Sequence, residues 1–258
     1  MRKSLYILPF ARTAIMLLLM VAATLTAHSQ TEITTLDGLN TMTASDDYII
    51  KADINASAGD GYTADISSFS GTLEAAINPA TQMPYRISGL TRPLFTSING
   101  GTVRNLVLDG VAISNYSGNT GAIASSATGA ARIYNVGILS GSVGGTGYTG
   151  GLVGLLDGNA RVINCYSFAT ITGGSTVGGI VGRNNVATTA STVATGTMVM
   201  NCMFYGDITG GSAISPVFGG QNINNKNSGG LTTFNYYAYD ELKTKKSQQQ
   251  LLLLRLGH

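Results

Sequence analysis

The chain has 258 residues, enough for one or two domains, with 44% hydrophobic and only 11% charged side chains. Its formal net charge of +2 comes from the N-terminal segment, because without Arg2, Lys3 and Arg12 the remainder has 12 basic and 13 acidic side chains. A near-neutral chain lacks the clustered Lys and Arg on which nucleic-acid binding depends. A nucleic-acid partner is therefore excluded.

Residues 1–29 have the pattern of a secretory signal peptide. Basic residues come first, an apolar run from Ala14 to Val21 follows, and the triplet Ala27-His28-Ser29 offers a cleavage site. The run is too short for a membrane span, and no Cys follows it to carry a lipid. We expect export to the cell surface or the extracellular medium, with no membrane span left after removal of the leader.

Residues 30–68 are predicted to form an N-terminal lead-in and cap. They begin as a polar, Thr-rich stretch, and Tyr48 to Ile54 then alternate as a strand does. Segments at 69–73 and 86–90 resemble the first coils of a repeat region, which we predict for residues 69–240.

A strand-like segment built around an asparagine recurs five times in this region. The asparagines are 30, 29, 37 and 34 residues apart, by subtraction of their numbers. Such a period is typical of a solenoid, in which each unit buries its apolar face against its neighbour. The five asparagines are Asn105, Asn135, Asn164, Asn201 and Asn235.

Two further motifs recur between the asparagines. One is a glycine-flanked apolar pair, as in Gly151-Leu152-Val153-Gly154, and the other is an apolar residue seven or eight positions after the asparagine. Three short apolar runs per repeat, without helical periodicity, predict an all-β fold. We expect a right-handed parallel β-helix (β-solenoid) of about five to seven coils, with the hand set by the chirality of parallel crossovers.

The asparagines are expected to form a structural ladder. Stacked amides can bond the amides above and below, which satisfies polar groups that would otherwise be buried unpaired. The positions two before, one after and three after each asparagine should face the core. In the third and fourth copies these are Val162, Cys165, Ser167, Val199, Cys202 and Phe204.

Cys165 and Cys202, the two cysteines, occupy one register position in successive repeats. Parallel rungs lie about 4.8 Å apart, within the range of a disulfide, but in-register side chains point the same way, which strains the bond. We expect a buried, unbridged pair. Two thiols without a further Cys or His cannot form a zinc site, and no metal or cofactor is expected.

Residues 241–258 break the pattern, with three lysines, three glutamines and a leucine run but no asparagine segment. They fit either a short capping helix or the end of a truncated chain. The open end of a solenoid needs a polar cap, and this tail would be a poor one, so we favour truncation.

The repeats resemble a known motif. Gly150-Gly151-Leu152-Val153-Gly154, followed by Val162-Ile163-Asn164-Cys165-Tyr166, is similar to the GLUG repeat of bacterial surface and secreted proteins, found beside IgA-protease-type peptidases and in adhesins. The resemblance is strongest over residues 145–235 and implies a β-helical stalk or adhesive segment. The resemblance does not extend to the zinc-binding helix of the peptidase, because His28 and His258 are the only histidines. A zinc peptidase is therefore excluded for this chain.

Enzymatic chemistry finds little support in the repeats. Glycoside hydrolysis needs two carboxylates in one cleft about 5–10 Å apart. Asp109 and Asp157 each precede a glycine, as turn aspartates do, and Asp207 lies at a different offset from its asparagine than Asp109. No catalytic residue is assigned.

Two outward features are candidates for binding. Arg132 and Arg161 both lie three positions before their asparagine, and paired guanidinium groups can bind a uronate, sialate or sulfate. Aromatic residues two or four positions after the asparagines would form a ladder if they face outward, and would be core if they face inward. They include Tyr166, Phe168, Tyr205 and Tyr239.

These observations favour a non-catalytic, exported repeat module with an adhesin-like binding role or a spacer role. The partner would be a glycan or a host or cell-surface protein. The alternatives are a carbohydrate-active β-helix enzyme, either a lyase or a hydrolase, and a truncated remnant of a larger surface protein.

Overall fold

The computed structural model describes residues 30–185 and 197–222 and the strands at 231–233 and 236–238, with side chains up to Gly219. The predicted signal peptide, Asn235, Tyr239 and the tail at 241–258 lie outside these ranges. The chain divides after Gln30 into two units, and every element described below belongs to the second. Within the described ranges, no helix is long and apolar enough to cross a membrane.

In the described ranges the elements are short strands, with one five-residue helix near the start. The N-terminal elements are β1 (Thr31–Ile33), α1 (Leu36–Asn40), β2 (Tyr48–Ile50), β3 (Ile54–Asn55), β4 (Thr72–Ala75), β5 (Arg86–Ser88) and β6 (Phe95–Asn99). The first two asparagine repeats contain β7 (Thr102–Asp109), β8 (Val111–Tyr116), β9 (Ala124–Thr128), β10 (Arg132–Ile138), β11 (Gly141–Gly145), β12 (Thr149–Gly150) and β13 (Val153–Leu156). The later repeats contain β14 (Arg161–Ile163), β15 (Tyr166–Ser167), β16 (Thr170–Gly173), β17 (Thr176–Gly178), β18 (Val181–Asn185), β19 (Met198–Met200), β20 (Met203–Tyr205), β21 (Ile208–Gly210), β22 (Ala213–Ser215), β23 (Phe218–Asn222), β24 (Leu231–Thr233) and β25 (Tyr236–Ala238).

Strands one repeat apart pair in parallel and form four sheets. Sheet A follows chain order, β1-β2-β4-β7-β10-β14-β19-β24, and β3, β5, β15, β20 and β25 also belong to it. Sheet B contains β8, β11, β16 and β21, sheet C contains β12, β17 and β22, and sheet D contains β6, β9, β13, β18 and β23. The predicted all-β fold of parallel strands is confirmed, and the residues predicted as a lead-in already supply the rungs β1 and β2.

The core consists of side-chain columns that run along the stack. Val103, Ile133, Val162 and Val199 share one register position in sheet A, and each is at most 1% exposed. Burying each such side chain stabilises the fold by about 1.5–3 kcal/mol. The positions predicted to face the core in the third and fourth copies are all buried, as expected: Val162, Cys165, Ser167, Val199, Cys202 and Phe204.

Each of the four described asparagines of the ladder bends its rung of sheet A. Asn105, Asn135, Asn164 and Asn201 have φ angles of 53°, 54°, 54° and 51°, in the left-handed region that Asn tolerates better than most residues. The Asn135 amide donates to Asn105 Oδ1 (3.1 Å), and the Asn201 amide donates to Asn164 Oδ1 (2.6 Å). These side chains are half-buried or exposed, so the bent backbone, and not the relief of buried amides, explains the choice of residue.

The glycine motif lets neighbouring repeats approach closely. A Cβ at Gly179 would lie 2.2 Å from a ring carbon of Phe204 and 2.2 Å from the Pro216 carbonyl oxygen. At Gly151 it would lie 2.7 Å from Ser167 Oγ. In both cases the glycine of one repeat packs under the residue three positions past the asparagine of the next repeat.

Replacing Asn164 with Ala should lower the urea midpoint of unfolding. Ala in the left-handed region costs about 1–2 kcal/mol, and the bond from Asn201 is lost as well. Asn164→Gly removes the same bond but relieves the backbone, so its loss should be smaller. A Gly variant as unstable as the Ala variant would assign the corner's stability to the amide ladder instead.

Replacing Gly179 with Ala should destabilise the protein by about 1–3 kcal/mol, as overpacking of a core does, measured by thermal unfolding. Gly38→Ala is the matched control, because its new methyl group would have no atom closer than 3.4 Å and Ala is favoured over Gly in a helix by about 1 kcal/mol. Equal losses in the two variants would contradict the close-approach explanation.

Candidate binding surface

Beyond the asparagine corner, the outward side of sheet A carries large apolar side chains. Tyr166 of β15 is in register with Met203 of β20, and Phe168 and Tyr205 lie two positions further along the chain. The residues between them are buried, so the alternation of a strand directs these four side chains to one side. We call Tyr166, Phe168, Met203 and Tyr205 the aromatic face.

The aromatic face is exposed on two adjacent rungs. Phe168, Met203 and Tyr205 are 38%, 39% and 38% exposed. The ring centroids of Tyr166 and Phe168 are 5.3 Å apart with an interplanar angle of 37°, and those of Phe168 and Tyr205 are 6.3 Å apart at 86°. Of the two orientations that the sequence left open, these rings take the outward one.

Tyr166 is held against the rung before it. A Cβ at Gly137 would lie 1.9 Å from a carbon of the Tyr166 ring, so the absence of a side chain there lets the ring cover the backbone. Partial burial raises the pKa of the Tyr166 hydroxyl. Tyr166 is therefore the anchored member of the aromatic face, and Phe168 and Tyr205 are its accessible members.

Earlier rungs of the same side carry charges instead of aromatic rings. Arg86 Nη1 lies 3.2 Å from Asp109 Oδ2, and Arg86 Nε lies 3.7 Å from Asp53 Oδ2. Ser140 also donates to Asp109 Oδ1 (2.7 Å). Asp109 is therefore engaged in a structural network, and the outward side changes from ion pairs to aromatic rings along the stack.

Arg132 and Arg161 are direct neighbours in sheet A, where β10 pairs with β14. The structure describes seven Lys and Arg side chains, and the other five contact an acid or a ring. Those five are Lys51, Arg86, Arg92, Arg104 and Arg183. In the part of the chain that the structure describes, Arg132 and Arg161 have neither kind of partner.

Tyr134 lies on the same side as Arg132, two positions along β10. Arg104 Nη1 donates to its hydroxyl (2.9 Å), and Arg104 Nε donates to Glu74 Oε2 (2.5 Å). These two hydrogen bonds raise the pKa of the Arg104 guanidinium. Sequence reasoning missed this chain of contacts, although Arg104 and Tyr134 both directly precede an asparagine, which was the available signal.

The predicted binding residues fall into two groups. Arg132 and Arg161 precede the asparagine corner, and Tyr166, Phe168 and Tyr205 follow it, so the bend separates the two sets along each rung. Among the described residues, no cation–π contact joins either arginine to a ring, whereas Arg183 lies over Tyr148 with 4.7 Å to the ring centroid.

Two carboxylates of the repeats, Asp109 and Asp157, are engaged in an ion pair and in a turn. Asp157 Oδ1, for example, accepts a hydrogen bond from the Gly158 amide (2.6 Å). Over the described ranges, no group of three His, Cys, Asp or Glu side chains could hold a metal ion.

Cys165 and Cys202 are buried and are not joined by a disulfide, as the sequence predicted. The Cys165 thiol donates to the Ile163 carbonyl (3.2 Å), and the Cys202 thiol donates to the Met200 carbonyl (3.3 Å). Burial raises the pKa of the Cys165 thiol. The pair fills the core column that Leu106 and Val136 occupy in earlier repeats.

Comparison with known proteins identifies two regions. The N-terminal region of the M26 IgA1-specific metallo-endopeptidase family matches residues 37–140, and the GLUG motif matches residues 145–172. None of the curated proteins matches the chain. A solved structure of an IgA1 protease is similar with a TM-score of 0.57 and 20% identity, over 80% of this chain and 20% of that one. The chain thus carries the predicted GLUG motif, and the similar structure, a fifth of which it spans, shows the fold alone.

The cysteines should resist modification in the native protein. Cys165 and Cys202 are 2% and 0% exposed, so a reagent in solution cannot reach either sulfur of the folded chain. Burial also raises the pKa of the Cys165 thiol, which leaves little of its reactive thiolate. Ellman's reagent should label neither cysteine of the folded protein over an hour and both in urea. Labelling of the native protein at the urea rate would contradict the buried column.

Proposed function

We propose that this GLUG-motif chain is a non-catalytic, exported repeat module, a right-handed parallel β-helix that binds a protein partner through its aromatic face. The observation that carries the proposal is the exposure of Phe168, Met203 and Tyr205 on adjacent rungs of one sheet. A contiguous exposed apolar patch on a regular scaffold is typical of an interaction site.

Several observations support the architecture and the export. Four sheets of parallel strands, each strand pairing with its counterpart one repeat away, are what successive coils of a β-helix require. Parallel crossovers are right-handed in nearly all known cases. The leader-like residues 1–29, together with the GLUG motif, support a surface or secreted location.

The chain lacks the residues that a zinc peptidase needs. The only histidines are His28 and His258, so the paired histidines of a zinc peptidase helix cannot be formed by this chain. The matched part of the metallo-endopeptidase family is described as its N-terminal region, which supports an accessory role.

The geometry of the rings favours a protein partner over a glycan at the aromatic face. Saccharides stack on flat, accessible ring faces, but the interplanar angles of 37° and 86° leave no coplanar platform across the two rungs. Tyrosine, phenylalanine and methionine are the residue types enriched in protein–protein interfaces, and Met203 supplies an adaptable surface.

Residues 30–258 should bind at least one member of an array of purified extracellular proteins, and Phe168→Ser/Tyr205→Ser should weaken that binding at least about tenfold. Truncating paired aromatic anchors at an interface commonly costs this much or more. The dissociation constants are measured by biolayer interferometry, with circular dichroism to confirm that both variants are folded.

Ile77→Ser/Met83→Ser is the matched control, because both side chains are 54% exposed and lie elsewhere on the surface. This variant should bind as the unaltered chain does. Failure of the folded chain to bind any protein, or equal weakening by the two variants, would refute a binding role for the aromatic face and favour a spacer.

A further inference from the structure

We propose that the outward side of β10 and β14 is a binding site for an acidic saccharide, with Arg132 and Arg161 binding its carboxylate or sulfate and Tyr134 packing on the sugar ring. This site precedes the asparagine corner, whereas the aromatic face follows it. The inference goes beyond the proposed function and does not depend on it.

The arginine pair is electrostatically unusual for this protein. Arg132 and Arg161 are directly opposite in a parallel ladder, with backbones about 4.8 Å apart, and like charges at opposed positions destabilise a sheet. Elsewhere on sheet A the protein places opposite charges in neighbouring rungs, as with Glu74 and Arg104. An oxyanion between the two guanidinium groups would remove the repulsion.

Tyr134 is placed to complete the site. It is half-buried, it lies on the same side of β10 as Arg132, and its hydroxyl is held by Arg104, which Glu74 holds in turn. Ile163 is its register partner in β14. Tyr134 and Ile163 thus form an aromatic–aliphatic pair two positions along β10 and β14 from the pair of arginines.

This combination matches an acidic sugar unit. The guanidinium fork pairs with carboxylate and sulfate through two parallel hydrogen bonds, and a pyranose presents an apolar face to an aromatic ring. A polyphosphate is a poorer match, because nucleic acids require extended Lys and Arg clusters. At this site the third arginine, Arg104, is already paired with Glu74, which leaves Arg132 and Arg161.

The test measures binding of residues 30–258 to oligogalacturonate, which carries carboxylates, to dextran sulfate, which carries sulfates, and to neutral dextran. Calorimetry at low salt should detect binding to at least one acidic polymer and none to the neutral one. Arg132→Gln/Arg161→Gln should weaken that binding about tenfold or more, as loss of two charge-assisted contacts does. Comparison of the two acidic polymers identifies the preferred anion.

Three variants separate this site from general electrostatics and from the aromatic face. Arg183→Gln removes one guanidinium charge from sheet D, compared with two in the double variant, and should change the affinity less than twofold. Tyr134→Ala leaves the net charge unchanged and should weaken binding several-fold. Phe168→Ser/Tyr205→Ser should leave saccharide binding intact. No binding of the unaltered chain to either acidic polymer, or equal weakening by Arg183→Gln, would overturn the proposal.

Discussion

Parallel stacking of rungs about 4.8 Å apart is the constraint on which this structure depends, because it places each side chain beside its counterpart in the next repeat. A column inside the stack is buried in every rung, which favours apolar side chains such as Val103, Ile133, Val162 and Val199. A column at a bend must tolerate one backbone conformation in every rung. The asparagines at positive φ meet that second condition, and two pairs of them bond to each other.

Parallel stacking also constrains the outer surface, because it sets each charged side chain beside a side chain of the next rung. Neighbouring rungs pair Glu74 with Arg104 and Arg86 with Asp109, so each charge meets its opposite. In the aromatic face, where the stacked side chains are uncharged, neighbouring rungs are joined by a contact between rings. Arg132 and Arg161 alone, among the described basic side chains, face a like charge without an acid or a ring beside them. The departure from the pattern is what makes this pair a candidate for function.

The repeat period, the parallel sheets and the buried positions could be predicted from the sequence, since a solenoid repeats its apolar positions at equal offsets from the asparagine. Equal offsets likewise identified Arg132 and Arg161 as neighbours. The contact between Glu74 and Arg104 could not be predicted, because the rung of β4 has no asparagine from which to count. The separation of the arginines from the aromatic rings could not be predicted either, because it depends on the backbone bend at the asparagine of each rung. The outward direction of Phe168 and Tyr205 was open until the burial of their neighbours was known.

The contact between the glycine of one repeat and a side chain of the next limits which segments of the stack can be duplicated without a clash. A duplicated segment cut from asparagine to asparagine would separate Gly151 from Ser167 and could set a wide side chain, such as Phe204, against an unsuited corner. A segment that begins before the glycine corner and ends after the next asparagine keeps both partners together. The matched GLUG motif, residues 145–172, has these limits. The GLUG motif therefore contains Gly151 together with Ser167, and its limits are offset from the asparagine-to-asparagine repeat.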